Sequence, residues 1–272
     1  MQQELPFTIV DVFAESARAG NQLAVVEHAQ ALTQAQMQSI AREFDFSETT
    51  FVCSHSATNA RVRIFTPGEE LPFAGHPTLG TAWVLSGGTG AITLALDAGD
   101  VPVEFENGVA WMVPPRAQFG EALPAVAAAE AAGVTLEDLD PEFAPVRVRC
   151  GPLFRLIAVR SPDVLARTSM PLPADRSTDD AVFVYCRGGH SSVGDYSARM
   201  FFFDGSAVRE DPATGSANSA FAAYLHKLGH SGDVVVEQGY EMGRASRIYA
   251  QLGTTLRVGG RVQEFARGTL VP

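Results

Sequence analysis

The sequence contains very little lysine and no excess of basic residues. Lys227 is the only lysine among 272 residues, and 20 basic against 31 acidic side chains give a formal charge of -11. A nucleic-acid backbone would find no basic stripe to bind, and an acidic surface also disfavours anionic membranes. Lys227 lies near the end of a predicted helix, just before Gly229, where a basic side chain suits the helix dipole. We therefore interpret Lys227 as structural and expect no nucleic-acid or membrane partner.

Cysteine and the usual cofactor motifs are also scarce. The three cysteines, Cys53, Cys150 and Cys186, are widely spaced and form no CxxC pair, so neither a zinc site nor a redox pair is indicated. The sequence has no HExxH, GxSxG, P-loop or strand-linked GxGxxG motif. We expect no metal and no cofactor. Without a signal peptide or an apolar run of about 18 residues, the expected location is cytoplasmic.

The hydrophobic pattern predicts short strands separated by few helices. Strands are indicated at Phe7–Phe13 and Leu23–Val26, with turn residues Gly20 and Asn21 between them. Thr33 is expected to cap a helix whose apolar residues recur at helical spacing. Further β-like runs are Thr49–Cys53, Arg61–Phe65, Ile92–Leu96, Val101–Phe105, Val234–Glu237 and Ile248–Leu252.

Two uncharged segments look like copies of each other. His76–Leu85 and Ser216–Leu225 contain no Asp, Glu, Lys or Arg, and a helix without a polar face is a buried helix. When Glu70–Leu85 is laid over Glu210–Leu225, Glu, Pro and Gly coincide at the start and Ala and Leu near the end. The preceding strands add matches, with a two-residue insertion: Ala60, Arg61 and Phe65 against Ala198, Arg199 and Phe203.

This duplication predicts an α+β fold of two similar domains, each a barrel-like β-sheet wrapped around a central buried helix. The Pro- and Ala-rich stretch Pro114–Ala132 is the expected joint. The N-terminal domain would comprise residues 1–115 and the C-terminal domain residues 116–272, whose last strand could return to the first domain. A single larger α/β domain with chance similarity is the alternative.

Three polar clusters are candidates for chemistry: Ser47–Thr50, Gly75–Pro77 and Glu210–Ser216. The second and third each begin a predicted buried helix, where free N–H groups and the helix dipole can bind an anion. A tight turn with a Ser or Thr cap would look the same. Glu48 precedes an apolar strand, and a carboxyl partly removed from water can take a proton and return it; a solvated surface residue is the alternative. His76 could donate a hydrogen bond or shuttle a proton, or be a capping or core histidine.

The order of these clusters resembles the PhzF family, which has the diaminopimelate-epimerase fold. The matching segments span most of the chain: Asp11–Phe13 with Gly20–Asn21, Ser47–Phe51, Phe65–Pro67, Leu71–Ala82 and Glu210–Ala217. Among them, GHPTLGTA (Gly75–Ala82) and EDPATGSA (Glu210–Ala217) are specific at this separation.

The resemblance implies a homodimeric isomerase without a cofactor, whose active site lies between two similar domains. It places the catalytic glutamate at Glu48, with the family's histidine and aspartate at His76 and Asp211. The substrate-binding turns fall on the helix starts, at Gly75, Gly215 and Ser216. The family reaction isomerises trans-2,3-dihydro-3-hydroxyanthranilate toward a ketone precursor of phenazines, so the expected partner is a small carboxylate.

Related amino-acid epimerases place a cysteine at each helix start, and this chain has none there. We therefore expect one-base chemistry by Glu48, with the proton removed and returned on the same face. One alternative is an isomerase or lyase acting on another small hydroxy or amino acid. Another is a catalytically silent metabolite-binding protein. The Gly- and Ser-rich segment Arg187–Tyr196, with His190, could help to shape specificity.

Overall fold

The structure, a computed structural model, describes residues 4–172 and 180–271. The chain divides into two compact units. Unit 1 contains the described residues up to Pro115 and those from Gly259 onward, and unit 2 contains the described residues of Arg116–Val258. The boundary lies within the stretch that the sequence suggests as the joint. The last strand belongs to unit 1 because it pairs with the first, so unit 2 ends earlier than residue 272.

The elements follow one another along the chain in this order. The first half contains β1 Leu5–Val12, β2 Asn21–Val26, α1 Gln34–Phe44, β3 Glu48–His55, β4 Asn59–Phe65, β5 Glu70–Leu71, α2 Gly75–Ser86, β6 Ala91–Leu96, β7 Gly99–Glu106 and β8 Val109–Met112. The second half contains β9 Gln118–Ala122, α3 Ala125–Ala132, β10 Val146–Arg149, β11 Leu153–Ala158, α4 Pro162–Ala166, β12 Asp180–Arg187, β13 Tyr196–Phe203, β14 Val208–Asp211, α5 Gly215–Lys227, β15 Gly232–Gln238, β16 Ser246–Leu252, β17 Arg257–Gly260 and β18 Val262–Leu270. Short 3-10 helices occur at Ala29–Ala31 and Leu136–Asp138.

Both units combine a mixed β-sheet with few helices, which confirms the predicted α+β class. In unit 1 the strand order is β18–β1–β2–β3–β4–β6–β7–β8, with β2–β3 and β4–β6 parallel. In unit 2 the order is β9–β10–β11–β12–β13–β15–β16, with β11–β12 and β13–β15 parallel. The short strands β5 and β14 extend β4 and β13 as hairpins. The two units therefore share one pairing scheme.

The helices α2 and α5 follow the short hairpin strands in the two units. Residues Gly75–Ala82 of α2 are buried, and α2 contacts strands from both ends of the unit 1 order, β18 and β8. The sheet of unit 1 therefore curves around this helix. Residues Gly215–Ala222 of α5 are likewise buried. The prediction of two buried helices is confirmed, although the last turn of α2 is only half-buried.

A glycine lets α2 approach the sheet closely. A Cβ atom on Gly80 would lie 2.6 Å from Leu23 Cδ2 and 2.8 Å from Val12 Cγ2. Because protein interiors are packed without spare volume, any larger side chain would push the helix away from β1 and β2. The helix start is thereby held at a fixed depth in unit 1.

The helix α1 begins where the sequence predicts. Thr33 is its N-cap: the Thr33 hydroxyl accepts from the Gln36 backbone N–H at 3.3 Å, and the Gln36 side chain accepts from the Thr33 N–H at 3.0 Å. This reciprocal box satisfies two of the free donors at a helix start. Met37 and Ala41 then pack in a core cluster with Phe51 of β3, so α1 covers one face of that strand.

The alignment of the two hairpins differs from the sequence prediction. Phe65 faces Glu70 across the first hairpin, and Phe201 faces Glu210 across the second. This register makes Arg63, not Arg61, the counterpart of Arg199. Each of these two arginines holds the hairpin glutamate through two hydrogen bonds, at 2.6 and 2.6 Å in unit 1 and at 2.8 and 2.7 Å in unit 2. The predicted match with Arg61 is wrong because the second connection, residues 202–209 against 66–69, is longer than the two-residue insertion allows.

The remaining predictions about organisation concern Lys227 and membranes. Lys227 is the last residue of α5, and its Nζ lies 4.1 Å from the centre of the Phe119 ring. This cation–π contact within unit 2 fits a structural role. Along residues 4–172 and 180–271, no helix has the length and apolar character needed to cross a membrane.

Candidate active site

Glu48 is the first residue of β3 and faces the same side of the strand as Thr50. The Thr50 hydroxyl lies 2.8 Å from the Thr81 hydroxyl of α2, which shows that this side faces the buried helix. Because side chains two residues apart in a strand share a face, Glu48 is also directed to α2. In the parallel pairing of β3 with β2, Leu23 faces Glu48, which fixes the position of Glu48 along the sheet.

The Glu48 carboxyl meets His76 at the start of α2. Glu48 Oε2 lies 3.5 Å from His76 Nε2, and the side chains are 15% and 3% exposed. Burial lowers the pKa of His76 from 6.5 to about 3, partly offset by a hydrogen bond to the backbone of Gln22. His76 is therefore a neutral imidazole at neutral pH, and its contact with Glu48 is not an ion pair. Within the described part of the chain, His76 Nε2 makes no hydrogen bond.

A third side chain contacts the other ring nitrogen. Asn21 Nδ2 lies 3.3 Å from His76 Nδ1, and both residues are buried. Asn21 is the first residue of β2, and Gly20 precedes it with a left-handed φ of 70°. A Cβ on Gly20 would lie 2.3 Å from the Val12 carbonyl oxygen, so the tight turn that delivers Asn21 requires glycine.

The start of α2 has the form of an anion site. Its N-cap is Ala74, which has no side-chain acceptor, and no side-chain cap is found there among the described residues. The N–H groups of Gly75 and His76 lie in the first turn, where they lack intrahelical partners. The residue that follows, Pro77, has no N–H, so it leaves no further donor unpaired at this position. The helix dipole adds partial positive charge at the same end.

Unit 2 has a second helix start with a different polar set. Asp211 ends β14 and is 5% exposed, and its Oδ2 accepts a hydrogen bond from the Thr214 hydroxyl at 2.5 Å. Thr214 is the N-cap of α5, but its side chain makes no capping bond to the helix. Gly215 and Ser216 form the first turn, and both are buried. A buried carboxylate and the first N–H groups of a helix therefore lie on one short segment.

The predicted site residues thus form two groups. Glu48, Gly75 and His76 lie together in unit 1. Asp211, Gly215 and Ser216 lie together in unit 2. Three further residues contact these groups and were not predicted as site residues: Asn21, Thr214 and Gln238, whose side-chain oxygen accepts from the Thr214 N–H at 3.2 Å. Asn21 and Thr214 stand within the motifs that the sequence singles out, whereas nothing in the sequence distinguishes Gln238 from an ordinary strand-end residue.

The strand register shows that the two groups are not copies. Thr49 faces Phe65 in unit 1 and Val182 faces Phe201 in unit 2, so the hairpin register makes Ala181 the counterpart of Glu48. By the alignment of the helix starts, Ser216 is the counterpart of His76. Unit 2 therefore carries neither a carboxyl nor an imidazole at the positions that carry them in unit 1.

The cysteines lie away from both helix starts, as predicted. Cys53 is in β3, Cys150 follows β10 and Cys186 is in β12. Cys150 and Cys186 are buried, and burial raises the pKa of each thiol to about 12. Among residues 4–172 and 180–271, no group of three or more His, Cys, Asp or Glu side chains is placed to hold a metal ion.

The segment Arg187–Tyr196 is fastened to the buried carboxylate of Glu237. The Ser191 N–H and hydroxyl donate to Glu237 at 2.8 and 2.6 Å. A Cβ on Gly189 or on Gly194 would lie 2.7 Å from Glu237 Oε2, so the glycines allow this close approach. These donors and Arg247 hold the pKa of Glu237 below its usual value despite burial. A role of this segment in specificity stays a prediction.

Comparisons with known proteins identify the family. A family model described as phenazine biosynthesis-like protein, PhzC-PhzF, matches residues 10–266. The chain belongs to this family. The resemblance drawn from the sequence motifs is therefore confirmed.

Three similar proteins cover nearly the whole chain. An uncharacterized isomerase of Mesorhizobium japonicum is 34% identical, with 97% of this chain and 98% of the relative covered. The trans-2,3-dihydro-3-hydroxyanthranilate isomerase of Pseudomonas fluorescens is also 34% identical, with 97% and 99% covered. The crystal structure of a Bacillus anthracis phenazine biosynthesis protein of the PhzF family matches with a TM-score of 0.86 at 24% identity, covering 99% of this chain and 100% of that one. That structure supports the fold.

Proposed function

We propose that this PhzF-family protein is a cofactor-independent isomerase that moves a proton within a small carboxylate substrate. The observation that carries the proposal is the contact of the partly buried Glu48 with the buried, neutral His76 at the uncapped start of α2. A general base needs a carboxyl in reach of the substrate, and an anionic substrate needs donors beside it. The similarity to proteins named as isomerases supports the same reaction class.

The proposed substrate is trans-2,3-dihydro-3-hydroxyanthranilate, the compound in the name of the Pseudomonas fluorescens relative. The Glu48 carboxylate takes the proton from C3, and the electron pair that it leaves is delocalised into the ring. The same carboxyl then delivers the proton to C1, so the product is an isomer with no net gain or loss of atoms. The hydroxyl-bearing carbon becomes the ketone after tautomerisation.

The remaining polar groups bind and orient this substrate. The N–H groups at the helix starts, of Gly75 in unit 1 and of Gly215 and Ser216 in unit 2, hold its carboxylate. His76 acts as a neutral hydrogen-bond partner beside Glu48, because its imidazole stays uncharged down to about pH 3. Asp211 orients the amino and hydroxyl side of the ring. These roles require the two units to face one crevice, which is part of the proposal.

The asymmetry between the units supports one-base chemistry. A two-base enzyme needs a second acid or base on the opposite face of the substrate, and the position equivalent to Glu48 is Ala181. No cysteine stands at either helix start. Glu48 therefore removes and returns the proton on one face. We further infer that the shared strand pairing arose by internal duplication and that the two copies then diverged at this position.

Two further features belong to the same proposal. A homodimer is the state expected from the family resemblance, and the cytoplasm is the location expected from the sequence. An enzyme of this kind that acts on another small hydroxy or amino acid would use the same Glu48 and helix starts, because the fold says little about the substrate. The substrate test below separates these two enzymes.

The experiment incubates the purified protein with trans-2,3-dihydro-3-hydroxyanthranilate in deuterium oxide and follows the substrate by proton NMR. The proposal predicts loss of the C3 proton signal and a new hydrogen at C1 on one face. Deuterium enters C1 only to the extent that Glu48 exchanges its proton with the solvent before returning it. A panel of other small hydroxy and amino acids is run beside it. If a compound of this panel were turned over and trans-2,3-dihydro-3-hydroxyanthranilate were not, that compound would become the assigned substrate. Binding without turnover of any compound would replace the isomerase with a metabolite-binding protein.

A further inference from the structure

Gln238 is a buried residue at the end of β15 whose side chain reaches the start of α5. Its neighbour Glu237 binds Ser191 and Arg247, whereas Gln238 contacts Thr214 and Asn218. Because consecutive residues of a strand face opposite sides, the two side chains serve different surroundings. Gln238 faces the helix, and it lies 20 residues along the chain from the nearest of these partners.

The amide of Gln238 makes four hydrogen bonds to this segment. Its Oε1 accepts from the Thr214 N–H at 3.2 Å and from Asn218 Nδ2 at 3.0 Å. Its Nε2 donates to the Asp211 carbonyl at 2.8 Å and to the Thr214 hydroxyl at 3.1 Å. A backbone N–H can only donate and a carbonyl can only accept, so these two groups fix which end of the amide is oxygen.

The side chains of Gln238, Thr214 and Asp211 form a series of hydrogen bonds in which each residue donates to the next. Because the Thr214 hydroxyl accepts from Gln238, its single proton is available to the Asp211 carboxylate, which lies 2.5 Å away. Gln238 thereby orients the hydroxyl that binds Asp211, and it also holds the Asp211 backbone. Replacing Gln238 would therefore disturb both the hydroxyl that binds the Asp211 carboxylate and the Asp211 backbone.

Unit 1 builds the same turn without this network. The strand register makes Leu96 the counterpart of Gln238, since Ala60 faces Leu94 where Tyr196 faces Val236. The helix alignment pairs the other members, Asp211, Thr214 and Asn218, with Leu71, Ala74 and Thr78. Since unit 1 forms the turn with mainly apolar residues, the fold does not require the buried amide. Buried polar groups are costly unless fully bonded, so a function accounts better for their presence.

We infer that Gln238 is a positioning residue, which sets the orientation of Asp211 and the first turn of α5 for the substrate. The inference rests on the proposed function, in which Asp211 contacts the substrate. Gln238 itself does not contact reacting atoms; it acts through Thr214 and Asp211.

The test is a double-mutant cycle on isomerisation of trans-2,3-dihydro-3-hydroxyanthranilate. Gln238→Leu introduces the residue that unit 1 has at this position, and Gln238→Met replaces it if the leucine variant does not fold. We expect kcat to fall tenfold or more with a smaller change in KM. In the Asp211→Asn background, the same substitution should change kcat less than twofold, because interacting residues are not additive. Full additivity would overturn the inference.

Glu237→Gln is the matched control, since it lies on the same strand with the same burial but contacts another set of partners. Its effect should be additive with Asp211→Asn. Hydrogen exchange of the Thr214 amide, measured without substrate, should accelerate at least tenfold in Gln238→Leu and not in Glu237→Gln. Unchanged exchange would also overturn the inference. If Asp211→Asn leaves turnover intact, the proposed role of Asp211 fails; if Asp211→Asn is impaired but Gln238→Leu is not, only the inference on Gln238 fails.

Discussion

Glu48 Oε2 lies 3.5 Å from Nε2 of a histidine that is buried and uncharged, His76. This relationship decides what the site in unit 1 can do. A protonated histidine would bind the carboxylate as an ion pair and lower its basicity, whereas a neutral imidazole leaves it free to exchange a proton. The buried histidine is therefore a neutral neighbour of the carboxylate rather than a charge.

The neutral state of His76 predicts a pH dependence of stability. Its pKa is lower in the folded chain, about 3, than the usual 6.5, so the unfolded chain binds the extra proton first. The contribution of His76 to the free energy of unfolding is complete above pH 6.5. It is lost as the pH falls toward 3, at up to about 1.4 kcal/mol per pH unit. His76→Gln should remove this contribution. Urea unfolding between pH 7 and pH 4 should show a shallower decline for the variant than for the wild type, and parallel declines would contradict the burial of a neutral imidazole.

Asn21 should hold His76 in one tautomer. The amide nitrogen lies 3.3 Å from Nδ1, and we predict that it donates to Nδ1, which puts the ring proton on Nε2, next to Glu48. Asn21→Leu leaves Nδ1 buried without its donor, which should destabilise the protein by about 1–3 kcal/mol and lower kcat several-fold or more. Nitrogen NMR of the imidazole reads the tautomer directly. A wild-type ring protonated on Nδ1 would refute this arrangement.

Gly80 should be required for the depth of α2. Gly80→Ala gains about 1 kcal/mol of helix propensity, but its Cβ would lie 2.6 Å from Leu23 Cδ2. Overpacking of this kind costs about 1–3 kcal/mol, and the shifted helix also moves His76 away from Glu48. We expect lower stability together with lower kcat. Gly68→Ala is the control, because the nearest atom to its Cβ would be 3.7 Å away. Equal melting temperatures for the two variants would show that the packing of α2 on β1 and β2 accommodates a methyl group at position 80.

Much of unit 1 could be predicted from the sequence because its signals are local. The uncharged helix over His76–Leu85 and the cap at Thr33 depend on residues within one or two turns, and both are present. The match of Arg61 with Arg199 failed for a different reason. Only the pairing of Phe65 with Glu70 and of Phe201 with Glu210 reveals the length of each connection. The register of a hairpin cannot be predicted from the matching residue types alone.

The candidate site shows the same division between local and distant signals. Gly75 and His76 could be named because they stand in one motif with the helix that they begin. The contact of His76 with Glu48 joins residues from different elements, and the family resemblance alone brought them together beforehand. Gln238 could not be found at all, because its partners lie 20 to 27 residues earlier in the chain. A glutamine at a strand end usually lies on the surface.

The central claim is that the Glu48 carboxyl transfers the proton, and the direct measurement is turnover of trans-2,3-dihydro-3-hydroxyanthranilate by Glu48→Gln. Glutamine keeps the size of the side chain and removes the base, so we predict a loss of at least a thousandfold in kcat with the melting temperature nearly unchanged. Glu69→Gln, at an exposed position, should retain wild-type turnover. A Glu48→Gln protein that isomerises the substrate at a rate close to that of the wild type would contradict the account.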